Sequence, residues 1–533
     1  MTTRLLTPVL RVLALILITT ATTILAAPTI PVLWEAGGLD AGSTGAGQAA
    51  RMDVDPMGNI GIVSGPAVFG NLAVTSYTAD GTFRWQRLIS PSIGNFLGDW
   101  IAAAPDGDFV AVGHNVNSRG NPIALTLVRY SSDGTLQWRN DLTVSGPSVG
   151  RLIVDAAGDA YLAFNSVGDG QDIRLHKYNT AGVLVWSQVI STGFFANEIA
   201  SSLALSPDGA DVVLTGFISG GATWITASYN AITGVRRWLV TAPEGLTARD
   251  VVVDSSRVYV TGMGATGAST PALAYWLTVI AYNRTNGARL WRTDRNPADG
   301  SHGQGLRIAL APDGSIVATG SASRGFLDWF TVALETSGVV RWQAVRDGGL
   351  NTNEIPAALL VLPDGTAVVS GRGGPNLPGG FIPGVTVGYD PNGTLEWEAF
   401  ARMETVWAGA LPSGDVCATG GYDALITCWS VPGTVPGGAV PAAPAALTAT
   451  RVAKRSIALA WTNGTIAQTG VRIERCAGSG CTNFAQIASG AGALSSFTDT
   501  GLAARTTYRY RVRAVNDAGV SPYSNVASAK TGR

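Results

Sequence analysis

Acidic and amide side chains recur just before apolar segments of the chain, and their types and spacing could support chemistry. The tripeptide Asn-Glu-Ile occurs twice, at 197–199 and at 353–355. Paired carboxylates at a suitable separation can act as the acid and the base of glycoside hydrolysis. The same groups could instead bind a sugar, hold a cation or face water. The candidate ligand-binding residues are Gln48, Asp99, Glu198, Gln304, Glu354 and Glu404.

Other chemical constellations are missing from the sequence. His114, His176 and His302 have unrelated contexts and lack the spacing of a zinc site. The chain has no Gly-x-Ser-x-Gly elbow, no phosphate-binding Gly-Lys-Ser/Thr loop and no Asp-x-Asp-x-Asp-Gly calcium loop. We therefore expect no metal, no cofactor and no established catalytic residue, although catalysis by the carboxylates stays open.

The four cysteines form two closely spaced pairs. Cys417 and Cys428 flank a ten-residue segment, and Cys476 and Cys481 flank a four-residue segment. Neither pair has the Cys-x-x-Cys spacing of a zinc site, and an oxidising compartment favours local disulfides. We predict both disulfides, the first between adjacent antiparallel strands, with free buried thiols as the alternative.

The elements that must position these residues are repeats. A turn followed by an apolar strand alternates with a tryptophan, as in "ALSPDGADVVLTG" followed by "SYNAITGVRRW". The repeated tryptophans are spaced by 48 to 55 residues. They are Trp34, Trp85, Trp138, Trp186, Trp238, Trp291, Trp342 and Trp397. A period of this length predicts a repeat architecture, in which we expect each tryptophan to pack between neighbouring units.

Each unit reads as four antiparallel strands, which is one blade of a β-propeller. The last unit lacks its tryptophan-bearing strand, and "PVLWEAGG" at the start of the chain supplies one. We predict an all-β fold with an eight-bladed propeller over 28–433, closed by the N-terminal strand. Seven blades is the alternative, because "VVDSSRVYVTG" in the fifth unit has no glycine in its turn.

The repeats resemble the bacterial β-propeller repeats called SBBP repeats and, more broadly, quinoprotein-like eight-bladed propellers. The segments "VDPMGNIGIVSG" and "DIRLHKYNTAGVLVW" carry this resemblance, the second with Asp172 six residues before Tyr178. The quinoprotein alcohol dehydrogenases imply two adjacent cysteines, which this sequence lacks. The resemblance therefore implies a fold but not that activity, because one fold hosts many functions.

A second domain follows a Pro, Gly and Ala-rich linker at 434–445. Residues 446–533 show short alternating strands and resemble fibronectin type III domains. Leu502, Thr506 and Tyr508 match the family's spacing, and Trp461 matches its core tryptophan. The resemblance implies a β-sandwich in which the Tyr508 hydroxyl bonds back to the backbone.

The N-terminal segment and the charge distribution limit location and partners. Residues 1–27 have two arginines, an apolar run and small residues, which is typical of a cleaved signal peptide. No later segment is long and apolar enough to span a membrane. Residues 441–533 carry 11 Lys and Arg against 3 Asp and Glu, but no nucleic-acid-binding pattern. We expect a monomer that is secreted or periplasmic and does not bind nucleic acid.

Three functions remain open from the sequence. The first is a non-catalytic binding protein, whose propeller recognises a polysaccharide or a protein. The candidate residues enter the innermost strand of each blade, so we expect them to ring the central channel at the propeller mouth. The second function is a carbohydrate-active hydrolase or lyase that uses the carboxylates there. The third is a periplasmic assembly scaffold.

Overall fold

The computed structural model describes most of the chain as β-structure. It describes residues 29–36, 48–65, 70–91, 95–117, 119–167, 171–193, 197–219, 223–243, 245–265, 275–297, 302–323, 326–348, 353–373, 383–402, 404–420, 425–431, 443–463, 470–491, 494–516 and 519–532. The regular structure in these ranges consists of 40 strands and no helix, so none of it is a helix able to cross a membrane. The predicted signal peptide and most of the predicted linker lie outside these ranges.

The first sixteen strands after β1 (Val32–Ala36) form four antiparallel sets. Sheet I contains β2 (Gln48–Val54), β3 (Ile60–Gly65), β4 (Leu72–Tyr77) and β5 (Phe83–Ile89). Sheet II contains β6 (Asn95–Ala103), β7 (Phe109–Val116), β8 (Pro122–Tyr130) and β9 (Leu136–Thr143). Sheet III contains β10 (Ser148–Val154), β11 (Ala160–Val167), β12 (Gln171–Tyr178) and β13 (Leu184–Ile190). Sheet IV contains β14 (Asn197–Leu205), β15 (Asp211–Ser219), β16 (Thr223–Asn230) and β17 (Arg236–Ala242). A single parallel bridge between Gln171 and Asn197 joins sheets III and IV.

Four more sets of four strands follow. Sheet V contains β18 (Gly245–Val253), β19 (Arg257–Ala265), β20 (Tyr275–Asn283) and β21 (Arg289–Arg295). Sheet VI contains β22 (His302–Leu310), β23 (Ile316–Ser323), β24 (Leu327–Leu334) and β25 (Val340–Arg346). Sheet VII contains β26 (Ile355–Val361), β27 (Ala367–Arg372), β28 (Gly384–Tyr389) and β29 (Leu395–Ala401). Sheet VIII contains β30 (Thr405–Ala410), β31 (Val416–Gly420), β32 (Leu425–Trp429) and, from the start of the chain, β1.

The fifth unit forms all four strands although its first turn lacks glycine. The carboxylate of Asp254 replaces the usual turn chemistry, accepting hydrogen bonds from the backbone N–H groups of Ser256 and Arg257, both at 2.6 Å. Aspartate side chains commonly stabilise turns in this way. The missing glycine therefore shortens the turn without removing the hairpin.

Contacts between sheets run through all eight sets and return to the first. We call β2, β6, β10, β14, β18, β22, β26 and β30 the first strands. Each first strand contacts the next one along the chain, and β30 contacts β2. Hydrophobic clusters lie between neighbouring sheets, including one that joins Met52 and Ile62 of sheet I to Leu411 and Ile426 of sheet VIII.

The N-terminal strand completes sheet VIII, as the sequence predicts. β1 pairs antiparallel with β32, and Trp34 lies opposite Cys428. Without β1, the backbone groups of β32 would form an open sheet edge, which is prone to pairing with other chains. The first and last parts of the repeat region are therefore joined in one sheet.

The repeated tryptophans couple each sheet to the next one. In seven cases the indole N–H donates to a backbone carbonyl in the last turn of the following sheet, at 2.7–3.3 Å. A glycine in that turn lies against the indole, with φ between 71° and 87°. A Cβ atom there would lie 2.6–2.8 Å from the indole Cδ2. The glycines are Gly81, Gly134, Gly182, Gly234, Gly287, Gly338 and Gly393. The recurring Gly-x-x-x-Trp pattern thus encodes a contact between consecutive sheets.

The eighth tryptophan lacks this partner. Trp397 precedes sheet VIII, whose last two strands, β32 and β1, come from opposite ends of the chain and are not joined by a turn. Its buried indole N–H has no hydrogen-bond partner among the described residues. Ile30 packs in the same cluster, and its N–H donates to the Glu398 carbonyl at 3.0 Å.

The structure contains both disulfides. Cys417 and Cys428 lie directly opposite each other on β31 and β32, and Cys476 is bonded to Cys481. The Cys417–Cys428 bridge joins residues with a sequence separation of 11. A disulfide that closes such a loop stabilises a fold by roughly 2–3 kcal/mol. Two disulfides fit a protein of an oxidising compartment.

The C-terminal strands form a separate sandwich of two sheets. One sheet contains β33 (Ala445–Ala453), β34 (Ser456–Thr462) and β37 (Ser496–Asp499). The other contains β35 (Gly470–Ala477), β36 (Ala485–Ala491), β38 (Thr507–Asn516), β39 (Gly519–Val520) and β40 (Ala527–Lys530). Trp461 and Tyr508 lie in its core, and the Tyr508 hydroxyl accepts a hydrogen bond from the Ala503 N–H at 3.0 Å.

Candidate functional site

Two of the three predicted glutamates, Glu198 and Glu354, are buried between sheets. Their side chains are 0% exposed at Glu198 and 1% exposed at Glu354. Glu198 accepts the backbone N–H of Thr192, which follows the last strand of sheet III, at 2.6 Å. Glu354 accepts from Arg346 at 3.1 Å and from the Gly348 N–H at 3.2 Å, both in the segment that ends sheet VI. Each glutamate therefore ties the start of a first strand to the preceding sheet.

The asparagine of each Asn-Glu-Ile tripeptide has a matching role. Asn197 accepts the backbone N–H of Gln171 at 3.2 Å, and Asn353 accepts that of Leu327 at 3.1 Å. Both partners lie at the start of the third strand of the preceding sheet. The repeated tripeptide thus forms a contact between sheets. At Glu354, burial raises the pKa of the carboxyl group.

The other predicted residues are spread over separate first strands. Asp99 is 17% exposed and lies 2.7 Å from the His114 ring nitrogen. Gln304 donates to the Ser321 hydroxyl at 2.8 Å, and the Glu404 side chain is exposed. Gln48 lies at the start of β2, but its side chain is outside the described part of the structure. The six predicted residues do not form a single cluster among the described side chains, and their contact with a ligand stays a prediction.

A register shift occurs in every first strand. In each first strand one shift precedes the residue that lies three positions before the end of the strand, and β18 has a further shift before Thr247. Such bulges twist a strand and re-aim its side chains. We call these residues the post-bulge positions: Arg51, Trp100, Arg151, Ser202, Asp250, Arg307, Ala358 and Trp407.

Side chains at these positions meet both between consecutive sheets and between sheets that are not consecutive. The rings of Trp100 and Trp407 meet edge to face with centroids 5.0 Å apart. The guanidinium carbon of Arg51 lies 4.2 Å from the Trp100 ring centroid, and that of Arg151 lies 4.4 Å from it. The guanidinium carbon of Arg307 lies 5.4 Å from the Trp407 ring centroid. Residues from sheets I, II, III, VI and VIII therefore form one group, which we call the Arg–Trp cluster.

The arginines of the cluster repel one another. Burial, followed by the charges of Arg307 and Arg151, lowers the pKa of Arg51 to about 9. Burial also lowers the pKa of Arg151 and of Arg307. Each charged form is therefore less stable here than in water, although an arginine with a pKa near 9 stays protonated at neutral pH.

Three nearby carboxylates accept hydrogen bonds from other donors, and their charges act on the cluster arginines. Asp250 accepts the Ser202 hydroxyl at 2.7 Å, and Asp53 accepts the Ala103 N–H at 2.8 Å. Asp99 is paired with His114. Burial raises the pKa of the Asp53 and Asp99 carboxyls. Among the described residues, no ion pair within 4.0 Å joins these carboxylates to the cluster arginines.

A cavity of about 220 Å³ lies beside the cluster. Its lining includes Met52, Asp53, Trp100, Arg151, Val154 and Trp407. Cationic and aromatic side chains in one cavity favour ligand recognition. No group of three or more His, Cys, Asp or Glu side chains among the described residues could hold a metal ion.

Comparison with known proteins identifies the C-terminal sandwich. Residues 442–530 match the family model of the fibronectin type III domain, so the chain carries this domain at its C-terminal end. A Fn3-like protein from Clostridium thermocellum is 26% identical over 18% of this chain and 96% of that chain, with a TM-score of 0.16. A structure of titin kinase and its flanking domains is 26% identical over 17% of this chain and 17% of that chain, with a TM-score of 0.16.

Another solved structure is similar over a longer part of the chain. Hydrazine synthase from Kuenenia stuttgartiensis is 14% identical over 60% of this chain and 91% of that chain, with a TM-score of 0.41. No curated protein sequence matches the chain. The chemistry of the repeat region must therefore be argued from its own residues.

Proposed function

We propose that residues 28–433 form an eight-bladed β-propeller that acts as a secreted or periplasmic, non-catalytic recognition domain. The linker at 434–445 then joins it to the fibronectin type III domain at 446–533, which serves as a spacer. The ligand is a polysaccharide or a protein, and the Arg–Trp cluster lies at the centre of its binding site. Asp99, Gln304 and Glu404 line the approach to it, with Gln48 on the same side.

Three observations support the propeller. The first strands contact one another in sequence order, and β30 contacts β2. Trp34 of sheet VIII donates to the Ala79 carbonyl of sheet I, so the tryptophan contact also crosses from the last set to the first. The fifth unit, whose missing turn glycine motivates the seven-bladed alternative, has four strands. A closed ring of this kind removes exposed sheet edges.

The meeting of Arg51, Arg151, Arg307, Trp100 and Trp407 carries the functional proposal. Arginine and tryptophan dominate the energetics of binding surfaces because they combine large contact area with directed polar groups. Side chains from five different sheets would converge only near the axis of a ring, which is where propellers hold ligands. The buried positions of Glu198 and Glu354 favour binding over hydrolysis, since a substrate cannot reach their carboxylates in this arrangement.

A binding screen with a chemical readout tests this proposal. Full-length mature protein is incubated with neutral and acidic polysaccharides, and both retention on the polymer and new reducing ends are measured. We expect retention without new ends. New reducing ends would overturn the non-catalytic assignment in favour of a carbohydrate-active enzyme. If no polysaccharide retains the protein, the ligand is a protein partner. Cross-linking in the native cell envelope would then identify that partner, and it would also detect a role as an assembly scaffold.

A matched pair of tryptophan variants locates the site. Trp407→Leu removes a half-buried tryptophan of the cluster, and Trp138→Leu removes a half-buried tryptophan of an inter-sheet contact. Both variants lose packing, so both should be somewhat less stable. We expect only Trp407→Leu to lose binding. Equal loss in the two variants would show that binding depends on stability and not on the cluster.

A further inference from the structure

We propose that the Arg–Trp cluster binds an oxyanion group of its ligand, held by the guanidinium groups of Arg51, Arg151 and Arg307. This inference rests on the proposed recognition function and adds the chemical class of its ligand. The oxyanion is a carboxylate, as in an acidic monosaccharide, or a phosphate or sulfate group.

Several guanidinium donors in and beside the cluster lack a hydrogen-bond partner. Arg51 Nη1 and Arg307 Nε are buried without a hydrogen-bond partner among the described residues, while Arg307 Nη1 donates to the Leu306 carbonyl at 2.9 Å. Nε of Arg249, whose charge lowers the pKa of Arg307, is also buried without a partner among the described residues. A buried polar group without a partner is costly, and such groups cluster where a ligand completes the site. Guanidinium N–H groups match the geometry of carboxylate and phosphate oxygens.

The charged groups in and around the cluster have a positive balance. Arg51, Arg151, Arg249 and Arg307 supply four positive charges, against the carboxylates Asp53, Asp99 and Asp250. Those carboxylates attract the arginines, Asp99 acting on Arg51, Asp53 on Arg151, and Asp250 on both Arg151 and Arg307, so the excess is one positive charge. Like charges held together with little solvent are unfavourable unless an anion joins them. An oxyanion would therefore both pair the free donors and balance the excess charge.

The cavity limits the size of the ligand. Its volume of about 220 Å³ lies below the ~300 Å³ at which sites for drug-sized molecules begin. Arg151, Trp100 and Trp407 belong to its lining together with Asp53, so an anion inside it would contact the cluster through Arg151, while Arg51 and Arg307 are not among the lining residues. A single sugar residue or an inorganic oxyanion fits this limit better than a folded partner does.

Thermal unfolding of the full-length protein tests the inference. The probes are glucuronate, inorganic phosphate and sulfate, with glucose as the neutral control and chloride at matched ionic strength. At one hundred times its Kd, a bound anion should raise Tm by on the order of 3 °C. Glucuronate alone raising Tm would identify a carboxylate ligand, and phosphate or sulfate alone raising it would identify the inorganic type. Equal shifts with chloride would overturn the inference.

Matched arginine variants separate a site from a general salt effect. Arg151→Met and Arg51→Met keep an unbranched apolar side chain in place of the arginine stem and remove the guanidinium group with its charge. We expect at least a tenfold weaker affinity for the anion in both variants, and Arg51→Met should have an unchanged or higher Tm in its absence because repulsion by Arg307 and Arg151 is relieved. The control is Arg139→Met on the outer strand β9, where Arg139 pairs with Asp141 at 3.0 Å. Loss of the anion effect in this control as well would contradict the assignment.

The outcomes distinguish this inference from the function on which it rests. Retention on neutral polysaccharide without any anion effect would leave the recognition function standing and refute the oxyanion. If the methionine variants do not fold, Arg51→Lys keeps the charge and loses the fork of donors, and it should weaken anion binding by a smaller factor. An unchanged affinity in a folded Arg51→Lys and a folded Arg151→Lys would refute the role of the guanidinium groups.

Discussion

Replacing Gly234 by alanine tests the contact that couples neighbouring sheets. Gly234 has φ of 71°, and a Cβ atom at this position would lie 2.7 Å from the Cδ2 atom of Trp186. The Trp186 indole N–H also donates to the Ala231 carbonyl of the same turn, at 3.3 Å. Alanine must therefore either displace the indole or distort the turn.

Gly209 in the same sheet provides a matched control. Its φ is 67°, close to that of Gly234, but a Cβ atom there would meet nothing within 4 Å. The left-handed conformation costs an alanine about 1–2 kcal/mol. Overpacking of a filled contact adds about 1–3 kcal/mol. We expect Gly209→Ala to lower the free energy of unfolding by about 1–2 kcal/mol and Gly234→Ala by about 2–5 kcal/mol.

Guanidinium unfolding of the two variants and of the parent protein measures these losses, with near-ultraviolet circular dichroism as the probe. Gly234→Ala should have the lower midpoint at an unchanged slope. Adding Trp186→Ala to each variant removes the obstacle, so the two alanines should then cost the same. Equal losses with Trp186 present, or a persistent difference without it, would refute the steric reasoning.

The remaining predictions concern three other contacts. Because the hydrogen bond and charge of Asp99 outweigh burial, the pKa of His114 is raised, so its stabilising charge is present below about pH 6.5 and lost as pH rises through the raised pKa. The Tm of the parent should fall over that window, and a His114→Gln variant should lack this fall. Reducing or removing the Cys417–Cys428 bridge should cost roughly 2–3 kcal/mol in denaturant unfolding. Glu354→Gln should cost about 1–3 kcal/mol through its buried hydrogen bonds without changing ligand affinity, and a loss of affinity at full stability would return Glu354 to the binding site.

The tryptophan spacing predicted the strand sets because each tryptophan marks the same strand and the same contact. Trp34 indicated that the first strand completes the last set, because the eighth repeat has no tryptophan-bearing strand of its own. The spacing could not show that Trp397 lacks a hydrogen-bond partner. That difference arises because the turn it would contact is absent where β1 and β32 meet.

The post-bulge positions were not predicted from the sequence, and the reason is a property of the backbone. The predicted site residues are polar residues near the start of the first strands. Two of them, Glu198 and Glu354, are buried against the preceding sheet. A register shift changes which side chains share a face, and no residue type marks it here. Counting four residues back from the first residue of each turn, such as Asp55 after Arg51, would have found the post-bulge positions.

The contrast between the two kinds of repeated position explains how one scaffold can carry a specific site. The tryptophan–glycine contact recurs seven times with nearly the same geometry, because each copy performs the same mechanical task between two sheets. The post-bulge positions share a backbone environment, yet they hold arginine, tryptophan, serine, aspartate and alanine. Packing alone would accept similar apolar residues at all eight, as it does in the strand cores. Cations gathered from sheets I, III and VI at a cost in charge repulsion are better explained by a ligand than by stability.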